Sequence, residues 1–153
     1  PAFAGLGAPY WDQYSRGAIF GLTRDTSRAH IAKAALDSMA YQTKDILDAM
    51  QKDSKITLEE LKVDGGAVAN NYLMQFQSDL LGVPVVRPVI TESTALGAAL
   101  LAGYGVGLFD KNKLESIQDV DKVYKPSWNE DRREQVYKQW QSAVKRTLNW
   151  VDK

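Results

Sequence analysis

The chain has 153 residues, 44% of them hydrophobic and 25% charged, and its 19 basic and 19 acidic side chains cancel to zero net charge. That balance excludes a disordered chain and offers no bulk charge for binding nucleic acid or an anionic membrane. With no cysteine, disulfides, thiolate metal sites and cysteine nucleophiles are excluded too, which fits a reducing compartment. The longest apolar and small-residue run, Ala95 to Ala102, is far too short to span a bilayer. The length suits one domain, residues 1–153, with a real core.

Residue 1 is a proline, and the opening P-A-F-A-G-L-G-A-P-Y-W reads as the middle of a loop. The chain is therefore expected to be a piece of a longer polypeptide. Tyr10, Trp11 and Tyr14 put more aromatic surface on this loop than solvent favours, so it should be pinned against a core, with a site-lining role as the alternative. Gly17 to Leu22 is a short apolar run bounded by glycine and predicts a strand. Ser27 predicts a helix cap. From Ala29 to Met50, two adjacent apolar rows (Ile31, Ala35, Met39, Gln42, Ile46 and Ala32, Leu36, Thr43, Leu47, Met50) predict a long helix with one broad buried face. The single histidine, His30, falls in its first turn without partners for metal or triad chemistry, and is read as structural.

The most informative stretch is Asp64-Gly65-Gly66-Ala67-Val68-Ala69-Asn70-Asn71. It follows the apolar run Leu61 to Val63 and precedes a helical pattern from Asn70 to Leu81, so it reads as strand, glycine turn, helix. Two glycines remove side chains where another group could approach the backbone, and a helix start aims unpaired amides into that opening. Asn70 can cap the helix or reach a ligand. A tight turn without any ligand is the alternative. The helix should bury Leu73, Met74, Phe76, Leu80 and Leu81, and Gly82 should stop it.

Val83 to Arg87 predicts a second strand, with Pro84 at its start or on an edge. After the polar loop Thr91 to Thr94, the small residues and leucines of Ala95 to Tyr104 predict a tightly packed, buried helix. Gly103 to Val123 reads as a surface excursion. Asn129 should cap a last helix with Glu130 and Asp131 in its first turn, Lys145 and Arg146 at its end, and Val136, Trp140, Val144, Leu148 and Trp150 along its apolar stripe. The alternation of strands and helices predicts an α/β layer with part of its sheet parallel.

Several of these stretches, in this order, resemble the FGGY carbohydrate kinase family. Gly17-Ala18-Ile19-Phe20-Gly21-Leu22, followed by His30-Ile31 and Ala34-Ala35-Leu36-Asp37, looks like its second signature. D-G-G-A-V-A-N-N resembles its adenosine motif. The opening G-L-G-A-P-Y-W-D, Phe76-Gln77-Ser78-Asp79 and Thr94-Ala95-Leu96-Gly97-Ala98-Ala99 are similar to the glycerol-phosphorylating branch. The resemblance implies an actin-like, ribonuclease-H-like ATPase fold of two lobes, of which this chain is the C-terminal portion of the second. It implies ATP with Mg²⁺ as phosphoryl donor, glycerol as the substrate held through the other lobe, a cytoplasmic location and a homo-oligomeric intact enzyme. It places Gly66 and Asn70 against the adenine nucleotide, with Gly65 and Ala67 shaping the wall. Asp64 reads as a loop-ordering acceptor, and Asp12 and Glu92 lack a paired carboxylate, so no catalytic residue or metal ligand is assigned within the chain. Another sugar or polyol kinase of the family, and a non-catalytic interaction module, are the competing readings.

Overall fold

The computed structural model describes residues 1–110 and 119–152. Its elements are α1 (Arg28–Ser54), β1 (Leu61–Lys62), a 3-10 turn (Gly66–Ala69), α2 (Asn71–Leu81), β2 (Val85–Pro88), α3 (Ser93–Gly105), β3 (Val120–Tyr124) and α4 (Glu130–Lys145). β2 is the central strand of a three-stranded sheet, parallel to β1 and antiparallel to β3. Pro84 precedes β2, so it marks the strand's start and not an edge.

Side-chain alternation divides the sheet into two faces. Leu61, Val85 and Tyr124 stand in register, and all three pack in the core with Leu73, Met74, Phe76 and Leu80 of α2. The next row, Lys62 and Val86, points the other way and lines a cavity of 560 Å³ beneath α3.

α2 is buried round most of its circumference because helices cover it on its far side. Its polar residues find partners on the strands and the segment after β3: Ser78 donates to Val83 O and Tyr124 O, each at 2.9 Å, and Asp79 accepts from the Ser127 amide at 2.6 Å. Aromatic rings join it to α1 and α4. Phe76 meets Tyr41 and Trp128 edge-on at 5.5 Å, and Tyr41 stacks on Trp140 at 5.2 Å. The carboxylate of Asp45, 3% exposed, accepts from the Tyr137 hydroxyl and, at 2.8 Å, from the Trp140 indole, fastening α4 to α1.

The starts of α1, α2 and α4 follow the sequence reading, whereas α3 begins at Ser93, inside the expected loop, with no side-chain cap bond. His30 Nδ1 accepts from the Ser27 amide at 3.1 Å, a capping role. Asn129 caps α4 through Arg132 N, and Gly82, at φ 76°, closes α2. The opening loop is pinned, but by hydrogen bonds more than by its aromatics: Tyr10 and Tyr14 are half-buried, while Trp11, expected to pack, is 80% exposed. Gln42 reaches Pro1 O at 2.9 Å, Ser15 bonds Thr147 at 3.1 Å, and Asp12 accepts from the Asn149 amide at 2.7 Å.

Several expectations fail. Gly17 to Leu22 is not a strand: it has no ladder, and Ile19, Phe20 and Leu22 are exposed. An apolar run becomes a strand only when another strand supplies its hydrogen-bond partners, and none among the described residues does. Part of the supposed excursion is the strand β3, which the adjacent charged residues Asp121 and Lys122 disguised; residues 111–118 of the excursion lie outside the described residues. The apolar rows of α1 do not form its buried face, since Ile31, Met39, Ile46 and Met50 are all exposed and Ser38, Ala40 and Asp45 are buried instead. Finally, α3 is not enclosed. Gly103 is its buried residue, while Leu101 and Tyr104 are exposed. Trp150 likewise stands exposed, outside the α4 stripe.

Candidate functional site

The glycine turn is built from three anchors. Gly65 enters it at φ 84°, a conformation that disfavours any side chain, and its amide donates to Thr91 O at 2.7 Å, tying the turn to the loop before α3. Val68, 3% exposed, plugs into the core from the turn's inner side. Asn70 leaves the turn in an extended conformation and its Oδ1 accepts from Leu73 N at 3.0 Å, capping α2.

What remains outside is bare. A Cβ placed on Gly65 or Gly66 would meet nothing within 4 Å. Gly66, Ala67 and Ala69 are exposed, so the outer surface of the turn carries no side chain larger than a methyl group. Gly66 and Ala67 open the 3-10 turn, where backbone amides have no earlier carbonyl of the same turn to reach. The sequence reading expected the glycines to lead straight into α2 and the helix start to face the opening. Instead one 3-10 turn intervenes, and Asn70 caps α2 itself. The result is an exposed main-chain wall bearing no side chain larger than a methyl group.

The wall is open to solvent. The 560 Å³ cavity lies alongside it, bordered by Asp64, Ser93, Leu96 and Asp119, but the glycines do not line that cavity. Of the four residues singled out in the sequence, Gly66 and Ala67 are exposed, while Gly65 and Asn70 are half-buried at the two ends of the turn. Asp64 is exposed at the edge. Asp12 is committed elsewhere: the amides of Asn149 and then of Tyr14 hold its carboxyl below the ordinary value. Among the described residues no group of three histidine or carboxylate side chains is gathered as a metal site.

Residues that the sequence reading did not single out hold the turn from behind. Arg87 donates through Nη1 to Val68 O at 2.9 Å and to Asn71 Oδ1 at 3.0 Å. The Tyr124 hydroxyl donates to the same Asn71 oxygen at 2.5 Å. A charged residue inside the apolar strand V-P-V-V-R-P was the available signal.

A model of the C-terminal domain of the FGGY family of carbohydrate kinases matches residues 1–106. Glycerol kinase 2 of Thermotoga maritima is 57% identical over 151 residues, covering 98% of this chain and 30% of the relative. Glycerol kinase of Alkaliphilus oremlandii is 58% identical over 153 residues, 99% of this chain and 30% of the relative. Among solved structures, Plasmodium falciparum glycerol kinase with ADP superposes with a TM-score of 0.86 at 37% identity, over 97% of this chain and 30% of that one. A ligand-bound xylulose kinase from Lactobacillus acidophilus superposes at 0.68 with 26% identity, over 95% and 29%. The chain thus spans about 30% of the length of the curated relatives it matches, and it has the sugar-kinase, actin-like ATPase fold. On these matches, the chain belongs to the FGGY family of carbohydrate kinases.

Proposed function

We propose that this chain is the nucleotide-side, C-terminal portion of an ATP-dependent glycerol kinase. In this reading Gly65, Gly66, Ala67 and Asn70 form one wall of the adenosine site. The observation that carries it is the bare outer face of the turn, where a nucleoside can lie against main chain with no side chain to displace. The similarity to an ADP-bound glycerol kinase supports the same reading. The Gly66 and Ala67 amides would serve as donors, and Asn70 keeps its Nδ2 for a ligand while its Oδ1 caps α2.

Phosphoryl transfer also needs a base for the attacking hydroxyl, Mg²⁺ with its carboxylates, and donors around the phosphates. No residue of this chain is assigned to these roles, and we place them in the remainder of a longer polypeptide. Magnesium there would neutralise the phosphate charge. The exposed apolar surfaces agree with such a remainder: Ile19, Phe20 and Leu22, the Ile31 and Met50 side of α1, and α3. A helix apolar on all sides is ordinarily enclosed. We read residues 1–153 as one structural unit of that polypeptide, and the intact enzyme as cytoplasmic and homo-oligomeric, as the family resemblance implies.

The test is a chimera in which this chain replaces the matching segment of the Thermotoga maritima relative. It should phosphorylate glycerol with ATP, whereas the 153-residue chain alone should not. A folded chimera that binds no nucleotide would overturn the wall assignment. Turnover by the isolated chain would overturn the placing of the catalytic groups elsewhere. A panel of glycerol, other polyols and sugars, run on the complete polypeptide, decides between glycerol and the other substrates of the family.

A further inference from the structure

Arg87 belongs to the sheet, yet its side chain ends at the glycine turn. Its guanidinium is anchored first on β3, where Nε and Nη2 both lie 2.7 Å from Asp121 Oδ2. It also lies 5.5 Å from the centre of the Tyr124 ring, and its side chain is 15% exposed. From that fixed base Nη1 holds the Val68 carbonyl and the Asn71 side chain. Each of those partners follows a residue of the proposed wall: Val68 follows Ala67, and Asn71 follows Asn70.

The turn needs such a hold. Its own bonds, Val68 N to Gly65 O and Asn70 N to Ala67 O, are both 3.2 Å, at the long end of the useful range. Two adjacent glycines leave its backbone with more freedom than any other pair would. A guanidinium supplies planar donors in a rigid fork, so one residue on a strand can fix a carbonyl and an amide side chain relative to the sheet. Its charge is met by Asp121.

We propose that Arg87 is a positioning residue for nucleotide binding. It sets the shape of the adenosine wall through Val68 O and Asn71, without touching the ligand. This rests on the reading of Gly65, Gly66, Ala67 and Asn70 as that wall.

The experiment compares Arg87→Met, Arg87→Lys and Gly66→Val in the complete polypeptide, with KM for ATP, KM for glycerol, kcat and thermal unfolding measured for each. Arg87→Met should raise KM for ATP about tenfold, with KM for glycerol and kcat nearly unchanged, because misplacing a binding wall weakens one substrate selectively. Arg87→Lys keeps an ion pair with Asp121 but loses the fork. It should unfold close to the parent temperature and still raise KM for ATP about threefold. Should Arg87→Met fail to fold, Arg87→Lys decides the matter. An unchanged KM for ATP in folded Arg87→Lys, or an equal rise for both substrates, overturns the proposal. If Gly66→Val raises KM for ATP while Arg87→Lys does not, the positioning role fails and the wall stands. If neither variant changes it, the wall assignment has failed and the positioning role with it.

Discussion

Gly65 and Gly66 are neighbours with different constraints. Gly65 sits at φ 84°, so a side chain there is strained however much room surrounds it. Gly65→Ala should cost about 1–2 kcal/mol in a denaturant titration. Gly66 carries no such strain and faces open space. Gly66→Ala should therefore leave stability within about 0.5 kcal/mol of the parent, since it touches nothing. Two glycines adjacent in sequence would then separate cleanly, one serving the backbone and one the surface. A second residue-scale prediction concerns Asp45. Its two oxygens take donors from Tyr137 and Trp140, both on α4. Asp45→Ala leaves both donors unpaired and should cost about 2–4 kcal/mol, read from the denaturant midpoint. The glycine pair and the Asn70 cap were legible in the sequence because their geometry is local. Arg87 was not, because its partners Val68, Asn71 and Asp121 are separated from it by 16 to 34 positions along the chain.

At the scale of elements, the opening loop and the segment after α4 are clasped together. The Asn149 amide donates to Asp12, and the Val151 amide donates to Tyr14 O at 3.1 Å. The Asn149 amide, then that of Tyr14, lowers the Asp12 pKa beneath its ordinary value of 3.8. A carboxyl depressed by folding contributes stability above its unfolded pKa, and loses that contribution as pH falls through the folded value. The clasp should thus hold at neutral pH and loosen only below pH 3.8. In an NMR titration the Asn149 amide shift should move with a midpoint under that value, and Asp12→Asn should abolish the movement. Helix ends were read well at this scale, since Ser27, Asn70, Gly82 and Asn129 act on the backbone within a few residues. Strands were read less well. Gly17–Leu22 has strand composition without a partner among the described residues, and β3 has a partner, Arg87–Pro88 included, although the adjacent charges Asp121 and Lys122 interrupt its Val and Tyr residues. Pairing across a sheet is long-range, and composition reports it only indirectly.

For the whole molecule, the aromatic interface among α1, α2 and α4 is expected to set the alkaline limit. Burial first, then the neighbouring Asp37 charge, pushes the Tyr41 hydroxyl up to about 12 from its ordinary 10. Burial and Asp45 raise Tyr10 and Tyr137 as well. A phenol whose folded pKa is raised adds stability that is complete below its unfolded pKa and is lost as pH rises through the folded one. Spectrophotometric titration should find these tyrosines silent at pH 10, with unfolding and ionisation arriving together as pH approaches 12. Tyr137→Phe should shift that transition measurably.

The local patterns of this chain specify its helices, their caps and the glycine turn, because hydrophobic period, capping side chains and positive φ act within a few residues of one another. The family likeness was also readable there, since its motifs are contiguous. The three-dimensional packing settled which face of each helix is covered. Ser38, Ala40 and Asp45 are buried on α1 while Ile31, Met39, Ile46 and Met50 are not. Periodicity marks a face as apolar, but burial depends on what stands opposite it, and that is a property of the assembled chain.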